Sequence, residues 1–314
     1  MMDKRKLIID TDCGSDDAMA IAMALNDPNY EILMFATVCG NVNAEQAAIN
    51  TLTTIEKTES YEPPVYVGAQ KPLLVPAVFA ADTHGEDGMG DIGLVPTRLK
   101  KRPENGIYKT LETLEQYGDQ EIEIVALGPL TNIALEMLMA PETMRKVRRI
   151  SIMGTAGLGV GNVTPLAEFN IWQDAEAAKI VLDFGVPLLF VGWDACLDDA
   201  MLDPDDIAEI RNGSELGKFA IDCNKVLMEM NVGRFGYECL DMADPAAMAA
   251  ALYPECIEEC DKYYCEMDVT NGPGYGAFIV DKYRFSGKEP NAYVCSKLKA
   301  KEYKDYIKRT LKVK

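Results

Sequence analysis

The sequence predicts an α/β protein built on an open, mostly parallel (Rossmann-like) sheet with helices on both faces. Three observations predict it. Short apolar runs rich in Ile, Val and Leu alternate with helix-forming stretches along most of the chain, the pattern of parallel strands joined by crossover helices. Polar residues of chemical interest follow those runs, as a crevice beyond the carboxyl ends of the strands demands. No Ser- or Pro-rich linker, internal repeat or low-complexity tract divides the 314 residues, so one domain is expected over 1–314.

KLIID, residues 6–10, is a short apolar run flanked by charge, which suits a buried strand. TDCGSDD follows with a glycine and N-capping residues, and AMAIAMAL is a strong helix former. EILMFATVCGN repeats the pattern, with a helix from Ala44 to about Lys57. Further strands are expected at 63–68, 121–127, 148–154 and 186–192, with helices at 105–117, 131–139, 174–184 and 214–230. The segments 262–270 and 276–282 have the pattern of a hairpin, or an added antiparallel edge, near the C-terminus. Residues 297–314, with seven Lys and Arg309 against Glu302 and Asp305, are expected to form a solvated amphipathic helix.

Composition excludes several classes of function. Lys and Arg number 31 against 50 Asp and Glu, a net charge of −19, which argues against nucleic acid as a partner. After MMDKRK the run Leu7-Ile8-Ile9 meets Asp10 at once, so no signal-peptide core is expected. The apolar segment around Val186–Trp193 is too short to span a bilayer, so no membrane partner is expected. Nine cysteines are scattered without a C-x-x-C pair, and Cys256, Cys260 and Cys265 lack a histidine partner, which disfavours zinc. Free thiols in a reducing cytoplasm are the plain expectation.

Two constellations carry chemistry. DTDCGSDD places Asp10, Asp12, Asp16 and Asp17 within eight residues at a strand–helix switch. Helix-start amides offset some of their repulsion, but four carboxyls this close would have raised pKa values without a cation. Oxygen-only ligands favour Ca²⁺ or Mg²⁺ over zinc; an EF-hand is excluded, because the twelfth position from Asp10 is Ile21. GNVTPLAEFN, residues 161–170, groups Asn162, Glu168 and Asn170 as donors and acceptors suited to a polyhydroxylated ligand, although turn chemistry accounts for Asn162 equally well. The single histidine, His84, heads the glycine-rich HGEDGMGD, expected as a turn rather than a helix, and Asp241, Asp244 and Pro245 open the helix AAMAAAL.

Together these residues resemble the calcium-dependent nucleoside hydrolases, the inosine–uridine preferring family. The resemblance is carried by DTDCGSDDAMAIAMAL, GNV at 40–42, ALGPLTNIA at 126–134 and GNVTPLAEFNIWQDAEAA at 161–178, with support from HGEDGMGD and DPAAMA. It implies Ca²⁺ held by Asp12, Asp17, the carbonyl of Leu127 and Asp244, with Asp12 as general base toward the attacking water. It implies that Asp16, Asn41, Asn162, Glu168 and Asn170 grip the ribose, that Met153 lies against the sugar, and that the loop of His84 closes over the base. Asp10 would support the loop. The substrate would be a small-molecule ribonucleoside, cleaved through an oxocarbenium-like transition state, and the assembly a homodimer or homotetramer.

The departures from the family pattern bear on the base. A histidine is common immediately before the second metal aspartate; here the residue is Ala243, which leaves Tyr237, Glu238, Asp241 and His84 as candidate leaving-group acids, or no such acid at all. Trp172 and Trp193 are the only tryptophans available for stacking, and Cys13 stands where proline is common. Three alternatives compete: a hydrolase of another ribosyl compound, a non-catalytic nucleoside or ribose binder, and a Mg²⁺-dependent aspartyl-phosphate phosphatase with Asp10 as nucleophile. The last gives no reason for GNV, LGPLTN or AEFN.

Overall fold

A computed structural model describes residues 4–313. The described residues form ten strands: β1 Arg5–Thr11, β2 Tyr30–Thr37, β3 Val65–Val67, β4 Ile122–Ala126, β5 Arg149–Met153, β6 Leu188–Val191, β7 Ile257–Tyr263, β8 Cys265–Met267, β9 Phe278–Val280 and β10 Ala292–Leu298. Eight form the central sheet in the order β3-β2-β1-β4-β5-β6-β10-β7. Every pairing is parallel except the outer one, where β7 runs antiparallel to β10. The expected fold class is the observed one.

Helices α1 Ser15–Asn26, α2 Ala44–Thr58, α3 Ala81–His84, α4 Gly106–Glu115, α5 Thr131–Met139 and α6 Pro141–Met144 occupy the first half. The second half carries α7 Phe169–Gln173, α8 Ala175–Asp183, α9 Pro204–Gly213, α10 Glu215–Asp222, α11 Lys225–Phe235, α12 Ala243–Leu252 and α13 Ala300–Thr310. Alternate residues of β1 point into different cores. Leu7 and Ile9 pack with α1, α2 and α12, whereas Ile8 packs with residues of α5 and α8. A strand covered on both faces needs a continuous apolar run, and LII supplies it.

Strand order positions the site. The chain winds from β1 to β2 and β3 on one side, then returns to place β4, β5 and β6 on the other. The order therefore reverses between β1 and β4, and the crevice opens beyond their carboxyl ends.

The expected hairpin is present as its own two-stranded sheet, β8 with β9, and an antiparallel edge strand is present as well, as β7 beside β10. Three expectations are corrected. The tail 297–314 is not helical throughout: β10 runs on to Leu298, and α13 begins only at Ala300, burying Tyr303, Tyr306 and Ile307. The helix expected at 214–230 is broken at Cys223 and Asn224, where the Asn224 amide turns inward to the Ser15 carbonyl. His84 ends a short helix, and the glycine turn begins only at Gly85, with φ +83°.

Candidate active site

Asp12 follows β1 and is fully buried. Its Oδ2 accepts the Asn41 backbone N–H at 2.7 Å, while Oδ1 has no hydrogen-bond partner among the described residues. Gly40 and Gly128, beyond β2 and β4, let the backbone close around this carboxyl: a Cβ at either would run into the Asp12 side chain. Asp17 sits in the first turn of α1, accepting the Gly14 N–H at 2.8 Å and the Thr11 hydroxyl. Asp16 beside it accepts the Asp244 N–H at 3.3 Å, which ties the start of α1 to the start of α12.

The tightest group of carboxyls is Asp16, Asp17 and Asp244, with ligand atoms within 4.8 Å of one another and all three residues buried. Asp16, expected at the sugar, thus joins the two expected metal residues more closely than Asp12 does. Burial and the charge of Asp17 push the Asp12 carboxyl well above the ordinary range. Asp244 is raised likewise, by burial and then by Asp16 and Asp17. Burial, with Asp16 beside it, lifts Asp17 to about 6. Among the described residues no Lys or Arg pairs with any of the four; the nearest basic group is His84, with Nδ1 3.8 Å from Asp16 Oδ1. Buried carboxyls this close need shared protons or a cation. Their oxygen-only chemistry and the orphaned Asp12 oxygen fit a hard divalent ion.

Above this floor a cleft of about 270 Å³ is lined by Asp16, Asn41, His84, Leu127, Met153, Asn162, Glu168, Asn170 and Asp244. That size suits one small molecule, near the lower end of the roughly 300–1,000 Å³ usual for ligand sites. Asp12 and Asp17 lie beneath the lining.

Glu168 caps α7, accepting N–H groups from Asn170 at 2.9 Å, Ile171 at 3.3 Å and Thr155 at 3.1 Å. Thr155 is held at φ +82° to make that contact, a conformation costly for a residue with a Cβ. Burial nevertheless lifts Glu168 to about 7. The Asn162 side chain accepts the Phe169 N–H at 2.9 Å, so turn chemistry and cleft lining coincide there. Asn170 reaches the carbonyl of Leu127 and the sulfur of Met153, at 2.7 and 3.2 Å. His84 Nδ1 lies 2.8 Å from the Ser15 hydroxyl and 3.3 Å from the Ser15 N–H, which fixes the ring against the start of α1.

Asp10 faces elsewhere: its Oδ2 accepts the Asn132 amide at 2.7 Å, and burial lifts the carboxyl to about 7. The nucleophile required by the phosphatase alternative is therefore outside the cleft. Of the leaving-group candidates, Asp241 and His84 line the cleft, whereas Tyr237 and Glu238 are exposed outside its lining. The wall also includes Phe79, Phe169, Trp193, Leu227, Met230 and Arg234. Trp193 directly follows the β6 run, so the carboxyl-end rule points to it. Arg234 lies in a helix with no sequence signal of its own.

The comparisons with known proteins agree with this geometry. The pattern of the family described as inosine-uridine preferring nucleoside hydrolase matches residues 7–305. The chain is 35% identical over 294 residues to pyrimidine-specific ribonucleoside hydrolase RihB of Escherichia coli (strain K12), covering 93% of this chain and 92% of that protein. Among solved structures it is similar to the plant nucleoside hydrolase PpNRh1, with a TM-score of 0.91, 28% identity and 99% of each chain covered. It is also similar to a purine-preferring ribonucleoside hydrolase from Gardnerella vaginalis, with a TM-score of 0.87, 28% identity, and 98% of this chain and 99% of that one covered. The chain belongs to the inosine–uridine preferring nucleoside hydrolase family, and it is a ribonucleoside N-glycosidase.

Proposed function

We propose that this chain, acting as one domain over 1–314, hydrolyses ribonucleosides to ribose and free base with Ca²⁺ as its resident metal. The observation that carries the reading is one cleft with buried carboxyls at its floor, amide and carboxyl groups around its waist and an apolar wall above.

Asp12, Asp17, Asp244 and the carbonyl of Leu127 would hold the ion, with Asp16 packed against them. When bound, Ca²⁺ orients water and the sugar hydroxyls and lowers the water's pKa. Asp12 takes the proton of the attacking water; its orphaned oxygen supplies the acceptor. Asn41, Asp16, Asn162, Glu168 and Asn170 surround the ribose, and their acceptors face the positive charge that develops at C1′ and the ring oxygen. Met153 would pack against the sugar, and His84, which lines the same cleft, would close toward the base. The pair of electrons from the broken C1′–N bond leaves with the base. Ala243 has no proton to offer it, in place of the leaving-group histidine that the family pattern implies.

The nine cysteines, all free and eight of them buried, suit a cytoplasmic site. Among the described residues no helix is long and apolar enough to cross a membrane. A homodimer or homotetramer is the proposed assembly, on the resemblance alone.

The test is Asp12→Asn. An asparagine keeps an acceptor for the Asn41 N–H, so the loop folds as before. Ribose release should fall about 10²–10⁴-fold, the usual worth of a general base. Near-normal turnover would remove Asp12 from the reaction.

A further inference from the structure

We propose that Arg234 stabilises the negative charge on the departing base without transferring a proton, and so favours bases that leave as carbonyl-stabilised anions, uracil foremost, over adenine. The inference rests on the ribonucleoside-hydrolase reading above and deepens it.

Among the residues lining the cleft, Arg234 is the sole Lys or Arg. It lies in the last turn of α11 with its side chain 32% exposed. Its guanidinium carbon sits 5.3 Å from the centre of the Trp193 ring, stacked on a residue of the same wall. Its Nη1 lies 3.6 Å from Asp241 Oδ2, beyond hydrogen-bond length. Asp241 is in turn fixed by the Trp193 indole at 3.0 Å and the Asn231 amide at 2.7 Å. The guanidinium is thus oriented by a face and a charge, while its N–H donors are not consumed by either.

The chemistry needs such a group. In uridine the C1′–N bond breaks, its electron pair passes to the base nitrogen, and the charge spreads onto the ring carbonyls. Water oxygen bonds to C1′, its proton passes to Asp12, and the base anion takes a proton from solvent after release. Arginine stays charged throughout and donates no proton, but its fixed donors match carbonyl oxygens that gain charge. An adenine leaving group has no carbonyl to receive those donors and departs most easily when protonated, which a neighbouring cation opposes.

The test compares wild type, Arg234→Met and Arg234→Lys on uridine, adenosine and p-nitrophenyl β-ribofuranoside, whose phenolate leaves without help. Wild type should prefer uridine to adenosine. Arg234→Met should lose roughly 100-fold in kcat on uridine, the order seen when one charge-stabilising donor is removed, and much less on the p-nitrophenyl substrate; Arg234→Lys should recover part of the loss. An equal loss on both substrates would mark a structural role and overturn the inference, as would no loss on uridine or a wild-type preference for adenosine. A wild-type chain that releases ribose from no ribonucleoside would overturn the underlying reading and the inference with it.

Discussion

The side-chain amide of Asn170 donates to the backbone carbonyl of Leu127 at 2.7 Å. The two residues come from the start of α7 and the end of β4, 43 positions apart. A group proposed for the sugar thereby rests on a carbonyl proposed for the metal. A carbonyl oxygen has two lone pairs, so one bond to Asn170 leaves the second available. Asn170→Ala should lower kcat/KM for a ribonucleoside about 10–100-fold, the worth of one or two lost polar contacts, without weakening Ca²⁺ binding. Steady-state kinetics and calorimetric titration read the two effects separately. A parallel loss of metal affinity would assign Asn170 to the ion instead.

Discrimination against 2′-deoxynucleosides follows from the same waist. Asn41, Asp16, Glu168 and Asn170 line one cleft, and a missing hydroxyl leaves buried polar groups unpaired. A site built to bind a hydroxyl rejects its absence by about 10⁴–10⁵. The ratio of kcat/KM for uridine and 2′-deoxyuridine measures this. A ratio near unity would remove these residues from sugar recognition.

Asp244 joins α12 to the carboxyls of α1. Asp244→Ala should weaken Ca²⁺ binding at least tenfold, since it removes a charged ligand from a small oxygen set. Titration with the ion reads this directly, and unchanged affinity would exclude Asp244 from the metal shell.

Much of the fold was legible because a doubly covered sheet writes itself as unbroken apolar runs. KLIID, EIEIVAL and RRISIMG correspond to β1, β4 and β5 within a few residues. β10 was not, because AYVCSKL lies one strand from the sheet edge and alternates buried Ala292, Val294 and Leu298 with exposed Tyr293 and Lys297. Its lysine merged with the basic helix that follows. At the site, Asp12, Asp16, Asp17, Asn41, Glu168 and Asn170 were legible because each follows a strand or opens a helix. Arg234 was not: only the packing of α11 beside Trp193 and Asp241 brings it to the cleft.

The metal-free protein should lose stability as pH rises. Burial lifts Glu168 from an ordinary value of 4.5 to about 7 and Asp194 from 3.8 to about 6. Between these values the unfolded chain ionises while the folded one keeps its protons. The stability they contribute is present below the unfolded values and is lost as pH climbs through about 6 to 7. The melting temperature of chelator-treated protein should therefore fall between about pH 4 and pH 7, and Glu168→Gln should flatten the slope. A melting temperature that rises across that window would contradict these assignments.

The most direct measurement is ribose release from a panel of purine and pyrimidine ribonucleosides, with a chelator and after Ca²⁺ is restored. Release from at least one ribonucleoside, abolished by chelation and recovered with Ca²⁺, is the expected result. Release that survives complete removal of the metal, or no release on any ribonucleoside from folded, Ca²⁺-loaded protein, would contradict it.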